Sequence, residues 1–137
     1  MTTITESKKT ITAAAVLALA LGADLDGGKF AGVITLPDGA HVAVVLLADK
    51  PAKRLKWAKA MAWAEETGGQ LPSRPIAALL FANLRAEFEA SWHWTNETHE
   101  KDASSAWNCY FDYGDQFSAG KSFAGCARAV RLIHLEG

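Results

Sequence analysis

The chain has 137 residues, of which 50% are hydrophobic and 21% are charged, and its formal net charge is −1. This length predicts one domain that can bury a core without disulfide or metal staples, and the charge balance does not predict nucleic acid or an anionic membrane as a partner. Two cysteines, Cys109 and Cys126, are fewer than small secreted domains usually carry. We expect both to be buried core groups, with a disulfide as the alternative.

Residues 1–28 are predicted to form an N-terminal arm. Its apolar run, residues 11–21, follows two lysines, as in a signal peptide. Glu6 argues against a signal, and the run is too short to span a bilayer. We therefore expect a helix or a buried strand that packs onto the domain or onto a second copy of the chain. The product is expected to be cytoplasmic when made.

Residues 29–137 are predicted to form a single domain that opens with a β-hairpin. Two β-branched, apolar runs, residues 30–36 and 41–47, are separated by Pro-Asp-Gly-Ala. Proline presets φ, and Asp-Gly supplies the positive φ that a tight turn requires. The hairpin is therefore predicted to form the first two strands of this domain.

Two helices are predicted after the hairpin. Apolar residues recur at helical spacing over residues 55–66, and the pair Gly68–Gly69 is expected to end this first helix. Ser73 is a favourable N-cap for the second helix, and Pro75 is tolerated in its first turn. A basic cluster near the first helix is expected to lie on its solvated face: Lys50, Lys53, Arg54, Lys56 and Lys59.

Short antiparallel strands are predicted after the helices. Residues 92–95 alternate, residues 96–105 are predicted to be a polar loop, and residues 106–113 alternate again. A final, nearly continuous apolar run over residues 126–135 is typical of a central strand. The order of hairpin, helices and strands predicts an α+β fold. The residues of one parity in 106–113 are expected to point inward: Trp107, Cys109, Phe111 and Tyr113.

Tryptophans and two arginines are expected to serve the structure: Trp92, Trp94, Trp107, Arg128 and Arg131. A strand buried on both faces cannot keep an unpaired charge. At least one of the two arginines is therefore expected to pair with a carboxylate, for which the candidates are Glu87, Asp102 and Asp112.

A candidate ligand-binding surface lies on the outward parity of the late strands and on the loop that follows: Asn108, Tyr110, Asp112, Tyr113 and Gln116. Tyr113 has the inward parity, but Gly114 allows its ring to swing to the rim. Tyrosine adds rigid contact area, and amide and carboxylate groups add adaptable hydrogen bonding. The alternative is an ordinary solvated sheet face.

The sequence contains no catalytic constellation. His93 and His99 do not have a recognised zinc-ligand spacing, and no paired acid and base can be identified. We therefore predict a protein that is not an enzyme and that has no cofactor and no metal site.

Four motifs occur in an order that resembles a known family: GGQLPSRPIAALLFANL at 68–84, WHWT at 92–95, AW at 106–107 and ARAVR at 127–131. This family of uncharacterised bacterial and prophage proteins is similar to the C-terminal domain of a bacterial collagen-like adhesin. The resemblance implies a C-type lectin-like fold, in which the first and last strands pair and ligand sites lie on the late strands and loops. Related domains also occur as phage receptor-binding proteins.

The chain departs from calcium-dependent lectins of that fold. Their Trp-Asn-Asp strand motif is matched only in part, because Cys109 follows Trp107 and Asn108, and the preceding loop lacks their proline. The resemblance therefore does not imply a calcium site.

Two functions are predicted. The first is a non-catalytic phage or prophage domain that binds a surface glycan or protein through its late strands, with the virion as a second location. The second is a structural or assembly subunit of a phage particle, with a homo-oligomer or another particle protein as partner. Neither nucleic acid nor a membrane is expected as a partner.

Overall fold

The computed structural model describes residues 9–136, which form an α+β fold with two sheets. It also contains one 3₁₀ turn, Arg85–Glu87, which directly follows the helix Arg74–Leu84. In chain order the elements are β1 Thr10–Thr12, α1 Ala13–Leu17, β2 Asp24–Leu25, β3 Gly28–Thr35, β4 His41–Leu47, α2 Trp57–Glu66, α3 Arg74–Leu84, β5 Trp92–His99, β6 Asp102–Tyr110, β7 Gln116–Gly120 and β8 Val130–Glu136.

The larger sheet has five strands in the order β1-β8-β4-β3-β2. The short strand β1 runs parallel to β8, and the other pairs are antiparallel. The predicted hairpin is confirmed as β3 and β4, and every residue of β4 after His41 is buried. Its apolar, β-branched residues suit a central strand that is covered on both faces.

The last apolar run also lies inside the larger sheet, between β1 and β4, as predicted. The strand begins at Val130, however, and not at residue 126. Residues 126–129 instead connect the two sheets, because the Cys126 carbonyl accepts a bond from the Trp94 N–H at 3.0 Å and the Ala129 carbonyl accepts one from Leu47 N–H at 3.0 Å.

The apolar N-terminal run is divided between β1 and α1. Thr12 caps the helix by accepting a hydrogen bond from the Ala15 N–H at 3.1 Å, and Val16 is buried in the core. Leu17 and Leu21 are 85% and 52% exposed. The run therefore packs onto the domain on one side only. Residues 1–8 of the predicted arm lie outside the described residues.

The smaller sheet has the strand order β5-β6-β7, and it contains a correction to the predicted loop at 96–105. Most of these residues belong to β5 and β6, and Glu100 and Lys101 make the turn. The Asp102 carboxylate accepts bonds from the Ser104 N–H and from the hydroxyls of Ser104 and Ser105. Polar side chains suit this hairpin because its end extends into solvent, so polarity alone did not indicate a loop.

Helix α3 packs between the two sheets and organises the core. Its N-cap is Ser73, as predicted, whose hydroxyl accepts a bond from the Ile76 N–H at 3.3 Å. Its buried residues share one apolar cluster with Cys109 and with strands β4 and β8. Cys109 and Cys126 are both free and buried, which confirms that they are core groups and not a disulfide.

Arg128 and Arg131 reach different partners from those predicted. Arg131 pairs with the Asp26 carboxylate at 3.1 Å, so one arginine does have an acidic partner. Arg128 is buried and donates to the backbone carbonyls of Glu87 at 2.6 Å and Leu47 at 3.0 Å. Backbone carbonyls accept from the two terminal nitrogens of this guanidinium in place of a carboxylate, because Arg128 lies at the junction of the two sheets.

Among residues 9–136, no helix is both long enough and apolar enough to cross a membrane.

Candidate functional site

The turn between β6 and β7 presents exposed aromatic side chains at one end of the smaller sheet. Gly114 forms this turn with φ +84°, and its N–H donates to the Tyr110 carbonyl at 2.7 Å. A Cβ at position 114 would lie 2.6 Å from the Phe81 ring, so glycine is required both for φ and for space. We call this region the β6–β7 tip, defined by Tyr110, Asp112, Tyr113 and Phe117.

Tyr113 and Phe117 are the most accessible groups of the β6–β7 tip. Tyr113 is 81% exposed and Phe117 is 56% exposed. The rings of Tyr110 and Phe117 pack edge to face with centroids 5.6 Å apart. Large apolar rings in water are unfavourable unless something covers them. The position of Tyr113 agrees with the prediction that Gly114 lets its ring reach the rim.

Asp112 serves the turn itself. Its carboxylate accepts a hydrogen bond from the Tyr113 N–H at 2.8 Å, and its carbonyl accepts one from the Arg85 guanidinium. These bonds hold the turn in one conformation, so that Tyr113 is presented from a fixed backbone. We therefore assign Asp112 to shaping the β6–β7 tip.

Asn108 is buried, and the prediction that it faces solvent is wrong. It is 2% exposed, and it lies between Trp94 on β5 and Phe117 on β7 as a direct cross-strand neighbour of both. Strand alternation correctly put Asn108 on the other face from Cys109, but that face is not solvated there: its neighbours Trp94 and Ala106 are fully buried in an apolar cluster that includes Ala60 and Ala64 of α2. The Asn108 Oδ1 atom has no hydrogen-bond partner among the described residues.

Gln116 lies on the opposite face of the smaller sheet from Asn108, which corrects its predicted place. It pairs with Cys109 across the strands and not with Asn108. Its amide makes two bonds with Arg74: the Arg74 Nε donates to its Oε1 at 2.9 Å, and its Nε2 donates to the Arg74 carbonyl at 2.9 Å. Gln116 therefore anchors the start of α3 to β7.

Trp107 lies on the inward face with Cys109, as predicted, but it is half-buried and is not part of the apolar core, which corrects its core assignment. The Arg74 guanidinium carbon lies 3.6 Å from the ring centroid, and His99 stacks on the indole at 4.9 Å. The indole N–H donates to Glu100 at 3.1 Å. Because Arg74 lies over the ring, that face of Trp107 is not free to stack on a sugar.

The other two tryptophans pack as expected. Trp94 is fully buried, and its indole N–H donates to the Leu55 carbonyl at 2.8 Å. Trp92 is partly buried and packs edge to face against Trp94 with centroids 4.9 Å apart. Both rings therefore belong to the packing of the smaller sheet.

An open groove of about 860 Å³ lies beside Gln116. The β3–β4 turn forms one wall and the first turn of α3 forms another, with Ile34, Pro37 and Ile76 among its apolar residues. The Glu97 carboxylate accepts a bond from the Arg74 N–H at 2.7 Å and so already occupies the N-terminus of α3. The groove combines apolar walls with the polar Arg74 and Gln116 pair.

Burial favours the uncharged forms of His93, Cys109 and Cys126. Burial lowers the pKa of His93 to about 4 and raises the pKa of Cys109 to about 11. Burial and the neighbouring Glu89 also raise the pKa of Cys126. A protonated thiol is a poor nucleophile, so these groups do not form a thiolate and imidazolium pair. Residues 9–136 contain no cluster of three or more His, Cys, Asp or Glu placed to hold a metal ion.

Sequence reasoning missed two residues of this region. Phe117 shares its face with Asn108, and the alternation of residues 116–119 would have revealed it as outward. Arg74 contacts Trp107 and Gln116 from far away in the sequence, and no local pattern indicates such a contact.

No family model matches the chain, and no curated protein matches its sequence.

Proposed function

We propose that the protein is a non-catalytic domain that binds a glycan or a protein on a cell surface through the β6–β7 tip. The observation that carries the proposal is the exposure of Tyr113 and Phe117 at the tip, together with the buried amide oxygen of Asn108 next to Phe117, which has no hydrogen-bond partner within residues 9–136. Aromatic rings supply stacking area at low entropic cost, and a free acceptor can receive a hydroxyl or amide N–H. Tyr110 and the turn-shaping Asp112 complete the surface.

The ligand would reach Asn108 when the Phe117 ring swings aside. Phe117 is the direct cross-strand neighbour of Asn108, and its ring is more than half exposed, so its rotation has few contacts to break. An unsatisfied buried acceptor costs about 1–3 kcal/mol. A ligand donor that satisfied it would recover that free energy on binding.

We further propose that the α+β fold is C-type lectin-like. Three features support this assignment: the first strand β1 lies next to the last strand β8, two helices follow the hairpin, and the late strands form a separate small sheet. The β6–β7 tip then has the position in which domains of that fold carry ligand sites. The phage or prophage role, including location on a virion, is part of this proposal and rests on the motif resemblance.

A binding array of glycans and cell-surface proteins tests the proposed function. We expect the wild-type protein to bind, and we expect Tyr110→Ala/Tyr113→Ala to lose binding, because aromatic anchors at hot spots contribute about 2 kcal/mol or more. Phe123→Ala is the matched control, since Phe123 is 64% exposed and lies outside the β6–β7 tip. Retained binding by the double variant, with an unchanged melting temperature, would reject the site.

A second candidate function is assembly through the N-terminal segment. Leu17 and Leu21 are exposed although the run around them packs on the core, so a second copy or a particle protein would cover them. Light scattering over a range of protein concentrations should then show oligomers that Leu17→Ser/Leu21→Ser loses. A wild-type protein that stays monomeric at every concentration would contradict self-assembly.

A further inference from the structure

A second pocket, with a volume of about 250 Å³, shares no residue with the β6–β7 tip. It lies where the segment before α2 meets the connection from β7 to β8. The side chains that determine its chemistry are Lys50, Lys53, Arg54, Glu89, His93 and Arg128.

The pocket has a surplus of positive charge. Four cationic side chains face one carboxylate, that of Glu89, which accepts a bond from the Cys126 thiol at 3.2 Å. None of the four cations forms an ion pair within residues 9–136. The nearby Glu87 carboxylate is engaged by Lys29 at 2.9 Å. His93 is buried and neutral at pH 7, so it adds no further charge.

Arg128 provides a fixed positive charge at this pocket. Only 6% of the residue is exposed, and its two terminal nitrogens donate to the carbonyls of Glu87 and Leu47. The Nε atom is buried and has no hydrogen-bond partner among the described residues. Because this nitrogen is shielded from solvent, Arg128 would stabilise an anion in the pocket through the positive charge of its guanidinium, which no carboxylate pairs within residues 9–136.

Only part of the basic cluster found in the sequence belongs to this pocket. Lys50, Lys53 and Arg54 line it, whereas Lys56 and Lys59 do not. Arg54 is held toward the pocket by a bond from its Nη2 to the Ser91 hydroxyl at 3.0 Å. All five residues of the cluster are exposed, as expected, but only the three that precede Lys56 line the pocket.

We propose that this pocket binds a tetrahedral oxyanion, the phosphate or sulfate group of a larger molecule. Flexible ammonium groups and a fixed guanidinium are the donors that such anions prefer. A surplus of three positive charges attracts a phosphate monoester, which carries close to two negative charges at pH 7, more strongly than a singly charged sulfate ester, and both groups offer three oxygens to the donors. The proposal does not depend on the function proposed for the β6–β7 tip.

The test is a titration of the full chain with inorganic phosphate and, separately, with sulfate, at an ionic strength kept constant with sodium chloride. Amide chemical shifts in ¹H–¹⁵N spectra should change saturably, with the largest changes at residues 50–54 and 126–128. Lys53→Gln/Arg54→Gln should raise the Kd about tenfold or more. Lys56→Gln is the matched control and should leave the Kd unchanged.

Both substituted side chains are exposed, so the double variant should fold, and its spectrum verifies this. Saturable binding of phosphate, of sulfate or of both supports the proposal and identifies the ester that the pocket accepts. Non-saturable changes spread over all basic residues would overturn it. Undiminished phosphate or sulfate binding by Lys53→Gln/Arg54→Gln would overturn it as well.

Discussion

The five-stranded sheet and the three-stranded sheet both have strands covered on two faces, but the side chains that they bury differ in polarity. Strand β4 of the larger sheet buries only apolar side chains. Strands β5 and β6 of the smaller sheet bury His93, Thr95 and Asn108. Apolar burial stabilises a fold, whereas a buried polar group costs free energy unless it is bonded. The larger sheet is therefore built for stability, and the smaller sheet contains groups that stability alone does not require.

The three buried polar residues of the smaller sheet are not equivalent. The Thr95 hydroxyl donates to the Trp107 carbonyl and accepts from the Glu97 N–H. His93 is bonded to the Ser91 carbonyl at 3.1 Å. Within residues 9–136, Asn108 alone of these three has a solvent-shielded side-chain atom without a hydrogen-bond partner. This difference marks Asn108, beside the exposed Phe117, as the group whose burial calls for a functional reason.

The largest expected effect tests the junction between the two sheets. Arg128→Ala should lower the free energy of unfolding by about 4 kcal/mol, because it removes two bonds from a charged donor, each contributing about 1.5–3 kcal/mol. Arg131→Ala, whose ion pair is partly exposed, should lose only about 1 kcal/mol. Urea denaturation measures both. If Arg128→Ala and the wild type have the same free energy of unfolding, the junction does not hold the sheets together.

The pH dependence of stability tests the smaller sheet through His93. Its pKa is about 4 in the folded protein and 6.5 in the unfolded chain, so the unfolded chain binds more protons between these pH values. The free energy of unfolding should therefore fall by about 3 kcal/mol as the pH drops from 6.5 to 4. His93→Gln should remove this slope, and His41→Gln on the surface should keep it. A slope that survives His93→Gln would contradict the assignment.

Two glycine substitutions distinguish the cost of backbone strain from the cost of steric overlap. One glycine lies in the β3–β4 turn and the other at the β6–β7 tip. Gly39 and Gly114 both have positive φ, but a Cβ at Gly39 meets nothing within 4 Å whereas one at Gly114 would overlap Phe81. Gly39→Ala should cost about 1 kcal/mol, and Gly114→Ala about 2–3 kcal/mol, because overlap adds to the strain. Thermal denaturation compares them. Equal costs would mean that Phe81 does not fix the turn.

The larger sheet was more predictable from the sequence than the smaller one, for physical reasons. The hairpin and the start of α3 depend on local chemistry, such as the Asp-Gly turn and the Ser73 cap. In the smaller sheet, alternation identified the face on which Asn108 lies, but exposure depends on what covers that face. Around Asn108 that face packs into the apolar cluster that contains Trp94, Ala106 and residues of α2, and no local pattern in the sequence reveals such packing.

The candidate site was predictable in part. Tyr110 and Tyr113 reach the surface near the turn at Gly114, which the sequence indicates locally. Gln116 was misplaced because its partner Arg74 comes from α3, and contacts between distant segments leave no period in the sequence. The basic cluster is exposed, as expected, but its sequence could not show that three of its members share a pocket with the distant Arg128.

The smallest expected change in stability tests the central claim, that the smaller sheet retains an unsatisfied amide because it binds a ligand. Asn108→Leu replaces the amide with an apolar group of similar size, and Thr95→Val is the matched control that loses two satisfied bonds. Denaturation and the binding array are measured on the same samples. We predict that Asn108→Leu gains about 1 kcal/mol of stability and loses ligand binding, while Thr95→Val loses about 1–2 kcal/mol. An Asn108→Leu protein that is destabilised as much as Thr95→Val and still binds its ligand would contradict the claim.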